Sequence, residues 1–286
     1  MKKLLASLGL ALHLMVPDAF AQPHQSVVSL DYCADQYVLA LSERKDIRAL
    51  SPAAQSSYSY YRDLSSDIDQ VRPEAEAILE MAPTLVVRQW GGGFQTPELL
   101  NKLGIEMAQI SFGTDLAHAE ANLLAMGEAL GASQKAEALL ANMQTRLARI
   151  DKAVAQRRIK RRALYLTPGG VSAGQGTFVD DLMTRAGVIN IAAENGAKGW
   201  PDVKLEELAL NPPDMIITGF FDLGAEQPSH WSIARHSFLR QLFKDVPTLH
   251  LPGRLIACSA WFGVEAVEQI YEASQSPFIA EAHHDQ

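Results

Sequence analysis

Only two of the 286 residues are cysteine, so no disulfide framework can hold this chain together and its stability has to come from a packed core. Long apolar runs are scarce as well. The longest, Leu4 to Val16, follows Lys2 and Lys3 and falls short of the roughly 18 to 20 residues that a membrane helix needs. It leads into Ala19-Phe20-Ala21, a small-x-small cleavage pattern, so residues 1–21 read as an export signal and the mature chain is expected to begin near Gln22. A lipoprotein would carry its cysteine at that junction, whereas the first here is Cys33. Basic charge is in deficit, with 25 Lys and Arg against 33 Asp and Glu for a net charge of -8, which argues against a nucleic-acid partner. Paired histidine spacing is missing too. His118, His230, His236 and His250 are scattered and His283-His284 is a tail, so no direct metal site is expected.

What is present is an alternation of short apolar runs with helical patterns. Val27 to Leu30 precedes a helix over Asp35 to Ser42; Thr84 to Val87 precedes one over Pro97 to Leu103; Glu106 to Ile110 follows. Such alternation is the mark of βαβ units and a mainly parallel sheet. From Asp115 to Arg158 the pattern turns helical, broken only at Gly131-Ala132-Ser133, where Ser133 is placed to cap a second helix. Run to Arg158, that helix would span about 39 Å at 1.5 Å per residue. The alternation then resumes with Ala163 to Thr167, Thr177 to Ala186, Met215 to Thr218, Thr248 to Leu251, a further short strand over Leu255 to Ala257, and a last helix over Val264 to Ser274. The expected fold is α/β: a lobe over residues 22–130, a long linking helix over 131–158, and a second lobe over 159–286, each lobe with a mainly parallel sheet. An internal echo supports two similarly built lobes. In both Glu76 to Val87 and Glu206 to Ile217 a Glu opens a helical turn, a Pro follows seven residues later (Pro83, Pro213), and an apolar strand begins two residues beyond it.

Ligands of parallel α/β sheets sit outside the carboxyl ends of the strands, and those positions are aromatic here. Tyr32, Trp90, Phe220 and Trp261 follow expected strands, with Phe221 and Phe262 beside the last two; Tyr58, Tyr60, Tyr61, Trp200 and Trp231 lie in neighbouring loops. Aromatics make up only 7% of the chain, so their gathering at strand ends implies a broad, flat, apolar ligand face. Arg88 is the one strand-end cation, suited to a carboxylate, phosphate or anionic chelate. Cys33 and Cys258 fall just past strand ends, one in each lobe, and three readings stand open: a bond across the mouth, a cleft thiolate, or two small buried hydrophobes.

A serine hydrolase is the rival reading. Gly170-Val-Ser172-Ala-Gly174 fits G-x-S-x-G, Gly91 to Gly93 mimics an oxyanion loop, and Asp222 and His250 complete the chain order. The context disagrees. A nucleophile elbow runs the strand into the Ser and starts the helix there, whereas Pro168-Gly169-Gly170 intervene and the helix begins near Thr177.

The segments Val27-Val-Ser-Leu-Asp31, Ala77-Ile-Leu-Glu-Met-Ala-Pro-Thr-Leu-Val-Val87, Leu103-Gly-Ile105 and Leu205-Glu-Glu-Leu-Ala-Leu-Asn-Pro-Pro-Asp-Met-Ile-Ile217, in this order around a long helix, resemble a known family. It is that of periplasmic substrate-binding proteins whose lobes share one backbone helix and which serve importers of cobalamin, iron-siderophore and haem. The loops at Tyr58, at Trp90 and at Gly199-Trp200-Pro-Asp-Val203 are similar to those of cobalamin binders, while Cys258 to Phe262 departs from them. The resemblance implies a monomeric, non-enzymatic periplasmic receptor that takes up a corrinoid or ferric chelate, needs no cofactor of its own, and partners with the permease dimer of an ABC importer. It also implies that Glu76 and Glu206 contact that permease; the alternative is that each carboxylate only complements its helix N-terminus.

Overall fold

The computed structural model describes residues 25–93, 95–221 and 237–275. Expectations for residues 1–21, Asp222, His230, Trp231, His236 and the His283-His284 tail lie outside these. The first lobe runs β1 (Val27–Ser29), α1 (Tyr32–Leu41), β2 (Ile47–Ala49), α2 (Ala75–Glu80), β3 (Leu85–Arg88), α3 (Thr96–Lys102), β4 (Glu106–Gln109) and α4 (Leu116–Ala129). Then α5 (Ser133–Ala155) leads to the second lobe: β5 (Arg162–Leu166), α6 (Phe178–Arg185), β6 (Ile189–Asn190), α7 (Ile191–Glu194), α8 (Leu205–Leu210), β7 (Met215–Gly219), α9 (Ser237–Asp245), β8 (Thr248–Leu251) and α10 (Gly263–Ala273). The sheets are four-stranded and parallel throughout, ordered β2-β1-β3-β4 and β6-β5-β7-β8. The two orders are the same, and α2 and α8, carrying Glu76 and Glu206, precede the third strand of each.

Both faces of each sheet are covered, which is why the strands read as unbroken apolar runs. Along β3, Leu85 and Val87 join the main core while Val86 packs outward with Ile78 and Leu100. In β5 and β7, Tyr165 and Ile217 point inward, and Leu164 and Ile216 meet Leu208, Leu239 and Leu242 on the outer face. The main core is continuous across the lobes. It includes Tyr37 and Leu123 of the first, Leu182 and Ile270 of the second, and Met143, Leu147 and Ile150 on one side of α5. Side-chain caps start several helices where the chain leaves extended backbone: Asp31 accepts from the Ala34 N–H at 2.9 Å, Asp115 from His118 at 2.8 Å, and Thr177 from Asp180 at 3.2 Å.

Three expectations change. Helix α5 stops at Ala155, about 35 Å long; the Arg157 guanidinium is drawn aside to the Ser274 hydroxyl (2.8 Å) and lies 4.3 Å over the Tyr271 ring. Ser133 is the first residue of that helix and not its cap, because the Ala132 N–H closes a tight turn on the Gly127 carbonyl at 2.7 Å and Ala132 takes the cap position. Leu255 to Ala257 is no strand: Gly253–Leu255 forms a 3-10 turn, whose Gly253 carbonyl accepts from Ile256 and Ala257. No helix among the described residues is long and apolar enough to cross a membrane.

Candidate functional site

The carboxyl ends of β1 and β3 are assembled by one buried carboxylate. Asp31 lies directly after β1, and besides capping α1 its second oxygen accepts the N–H groups of Gln89, Trp90 and Gly91 at 2.7, 3.0 and 3.0 Å. Four donors on one ionised acceptor make a strong cradle. Gly91 has to be glycine there, since a Cβ would lie 2.2 Å from the Leu30 carbonyl oxygen. The turn so formed sets Trp90 edge-on to Tyr32, ring centroids 4.9 Å apart. A second buried side chain, Gln36 on α1, places the other wall: its amide donates to the Ser59 hydroxyl at 2.8 Å and its carbonyl accepts from the Tyr61 N–H at 2.8 Å, holding the Tyr58–Tyr61 loop. Tyr58 then meets Tyr32 at 4.7 Å, and Phe112, beyond β4, lies nearly parallel to Trp90 at 6.5 Å. The result is a band of four rings, Tyr58, Tyr32, Trp90 and Phe112. Sequence reasoning missed Asp31, Gln36 and Phe112; Phe112 stands just past β4, where the strand-end rule would have found it.

The second lobe contributes Trp200, 55% exposed and tilted toward Tyr165 at 6.4 Å. Its loop is tied to the chain after β5 by hydrogen bonds from Ser172 to Pro201 (2.8 Å), Gly174 to Gly199 (2.7 Å) and Val203 to Gly170 (2.9 Å). Phe220, half-buried at the end of β7, is held at φ +63°, a left-handed conformation unusual for an aromatic residue and of the kind that accumulates at binding sites.

Two candidates are turned away from open surface. Trp261 is only 4% exposed, because its indole packs edge-on against Tyr37 at 4.9 Å in the core. Arg88 points by strand alternation to the Val86 face, where it donates to the Trp90 carbonyl at 3.2 Å; its Nε and Nη1 are buried with no partner among the described residues. That hydrogen bond ties it to the Trp90 turn.

The lobes are joined at the floor of this region. Cys33 and Cys258 form a disulfide with their Cα atoms 5.6 Å apart, which decides among the three readings of those residues. Beside it the Tyr32 hydroxyl donates to the Ala257 carbonyl at 3.4 Å, Tyr60 stacks on Phe262 at 4.2 Å, and Tyr60 donates to the Glu265 carboxylate. Glu268, one turn on, is held by Arg146 and Arg149 of α5.

Directly below, Asp35 is wholly buried. It accepts from the Ser29 hydroxyl and from the Ser51 N–H and hydroxyl at 2.9 and 2.6 Å. Burial pushes its pKa up to about 7, opposed by those hydrogen bonds and aided by Asp31. Between the unfolded value near 4 and this folded value the native state holds a proton that the unfolded chain has lost. Stability from this group is therefore complete below pH 4 and is lost as pH rises toward 7. Urea unfolding at pH 5 and pH 8 should show that loss in the wild type and little of it in Asp35→Asn; equal slopes in the two proteins would refute the assignment.

No hydrolase centre assembles among the described residues. Ser172 is buried and its hydroxyl has no partner among the described residues, while the His250 ring is engaged by the Thr218 hydroxyl at 2.8 Å. Nor do the described residues contain a cluster of three or more His, Cys, Asp or Glu fit to hold a metal.

Comparison with known proteins follows the same line. The family model described as "Periplasmic binding protein" matches residues 27–220. The chain belongs to that family. Its members are substrate-binding proteins and not enzymes. A cobalamin-binding protein of Halobacterium salinarum is 27% identical over 198 residues, covering 68% of this chain and 54% of that protein; the chain thus spans about half the length of the curated relatives it matches. Among solved structures, the periplasmic heme-binding protein RhuT of Roseiflexus sp. RS-1 superposes with a TM-score of 0.67 at 21% identity, over 88% of this chain and 100% of the other. The vitamin B12-binding protein BtuF of Vibrio cholerae gives 0.63 at 19%, over 91% and 99%. At these identities the two structures establish the family's two-lobed fold.

Proposed function

We propose that this protein is an exported periplasmic receptor, acting as a monomer, that captures a corrinoid or a ferric chelate such as haem or an iron-siderophore between its lobes and delivers it to the permease dimer of an ABC importer. The band of Tyr58, Tyr32, Trp90 and Phe112 in the first lobe, with Trp200 in the second, carries this reading, since Trp90, Phe112 and Trp200 are 38%, 72% and 55% exposed. Rings left open to water at strand ends meet a flat apolar ligand at low entropic cost. The names of the relatives, which bind cobalamin, haem and vitamin B12, agree with that chemistry. Tyr32, Tyr58, Trp90 and Trp200 form the ligand face in this reading, with Phe220 at its edge and Arg88 and Trp261 supporting it from behind.

Titration of the mature protein with cyanocobalamin, haemin and a ferric hydroxamate tests it by tryptophan fluorescence. One of them should quench saturably with a stoichiometry fixed by a single cleft, and Trp90→Ala should weaken that binding by roughly 10- to 100-fold, the worth of burying one large apolar side chain. If none of the three changes fluorescence or melting temperature, the proposal fails.

A further inference from the structure

The loop that carries Tyr58 is fixed from both lobes. From the first, the Gln36 amide donates to the Ser59 hydroxyl at 2.8 Å and to the Tyr32 carbonyl at 2.6 Å, and its own carbonyl accepts from the Tyr61 N–H at 2.8 Å. From the second, Tyr60, between those two anchored residues, lies flat on Phe262 with 2° between the ring planes and donates its hydroxyl to the Glu265 carboxylate. Tyr60 and Glu265 are 205 positions apart, so this bond exists only where one lobe is seated on the other. Burial, reinforced by Glu265, pushes the Tyr60 phenol above the usual tyrosine range, so it keeps its proton and remains a donor.

Glu265 is left to this bond by its neighbour one turn on. Arg146 of α5 gives both Nε, at 3.0 Å, and Nη2 to Glu268, and Arg149 adds a third donor to that carboxylate at 2.7 Å. The remaining Nη1 of Arg146 lies 3.9 Å from Glu265, too far for a hydrogen bond. The close partner of Glu265 is therefore a phenol of the other lobe and not the arginine beside it. A bond to a carboxylate is among the stronger ones a phenol makes. With Ser59 and Tyr61 pinned from the first lobe and Tyr60 from the second, the chain is led to where Tyr58 meets Tyr32 edge-on, ring centroids 4.7 Å apart. We propose that Glu265 is a positioning residue of the ligand face: from the second lobe it holds Tyr60, and through that loop it sets Tyr58 against Tyr32. This role rests on the reading of the aromatic band as the ligand face, and it makes affinity depend on a residue of α10 that is no part of the band.

Ligand-free mature protein labelled at the tyrosine ring carbons tests the positioning by NMR, with the Tyr58 signal identified by its loss in Tyr58→Phe. Tyr60→Phe keeps the stack on Phe262 but removes the donor, Glu265→Ala removes the acceptor, and Glu265→Gln keeps an acceptor oxygen without the charge. The first two should move the Tyr58 signal alike, and together no further than either alone, because they break the same bond. Glu265→Gln should leave it near its wild-type position, and the Tyr165 signal of the second lobe should stay in place throughout. Of cyanocobalamin, haemin and a ferric hydroxamate, the compound that quenches the wild type should bind Tyr60→Phe and Glu265→Ala about three- to tenfold more weakly, the worth of one hydrogen bond, and Glu265→Gln nearly as well as the wild type. The proposal is overturned by a Tyr58 signal unmoved in Glu265→Ala, by Glu265→Gln behaving like the alanine variant, or by a moved signal with affinity unchanged. If none of the three compounds binds the wild type, the ligand reading fails, while the Tyr58 signal still decides whether Glu265 positions that ring.

Discussion

Replacing Cys33 and Cys258 together by alanine should cost about 5 kcal/mol of stability, close to the whole margin of many domains. The bond joins residues separated by 225 positions, so breaking it frees nearly the whole described chain, and in the chain-entropy view the cost grows with the logarithm of that loop. Alanine is the appropriate substitute because both positions are buried, Cys33 at 2% and Cys258 at 5% exposure, and serine would add unsatisfied hydroxyls. At roughly 2–4 °C per kcal/mol for a chain of this size, melting should fall by about 10–20 °C. A fall of less than about 3 °C would mean that the seam is held by its other contacts, the Tyr60–Phe262 stack and the Glu265 and Glu268 pairs. The same bond limits motion. With a continuous helix and a covalent tie both crossing between the lobes, ligand should change the radius of gyration by less than about 2 Å in the oxidised protein, whereas a wide hinge closure would exceed it. Small-angle scattering before and after ligand, oxidised and reduced, measures both halves of the claim.

Whether this bond existed was not legible in the sequence, and the reason is physical. Disulfide formation depends on two Cα atoms lying within a few ångströms, and nothing local to Cys33 or Cys258 encodes the docking of one lobe on the other. The elements themselves were legible because parallel strands buried on both faces, such as Leu85–Arg88 and Met215–Gly219, leave continuous apolar runs, and because the Glu, Pro and strand spacing recurs in both lobes. Ile47–Ala49, whose middle residue is the exposed Arg48, and Ile189–Asn190, only two residues long, show no apolar run and were missed. The site was half legible for the same reason. Rings at strand ends could be picked out by place, but Asp31 gathers N–H groups about sixty residues away, and Trp261 lies past what looked like a strand and is a turn, so its side chain goes into the core. Local pattern identifies who stands at the mouth; it does not identify who holds them there.

Charge reversal at Glu76 and Glu206 should abolish uptake while leaving the receptor folded and able to bind. Each carboxylate is exposed and sits second in a six-residue helix, α2 or α8, at the same place in two sheets of identical order, so a two-lobed receptor offers one on each side. A symmetric permease dimer can meet such a pair with the same basic residue from each subunit. If docking rests on them, placing lysines opposite those bases replaces attraction by repulsion, and two such changes should weaken the complex by on the order of 100-fold or more. The competing role is local: a carboxylate near a helix N-terminus is worth about 0.3 to 1 kcal/mol. That role predicts the reverse pattern, a slightly lower melting temperature with transport intact. Glu76→Lys, Glu206→Lys protein assayed in parallel for melting, for ligand titration and for stimulation of importer ATPase in proteoliposomes separates the two. Unchanged stimulation by the double variant would eliminate docking through these residues, and a loss of stimulation with affinity and melting preserved would leave the helix-terminus role too small to explain it.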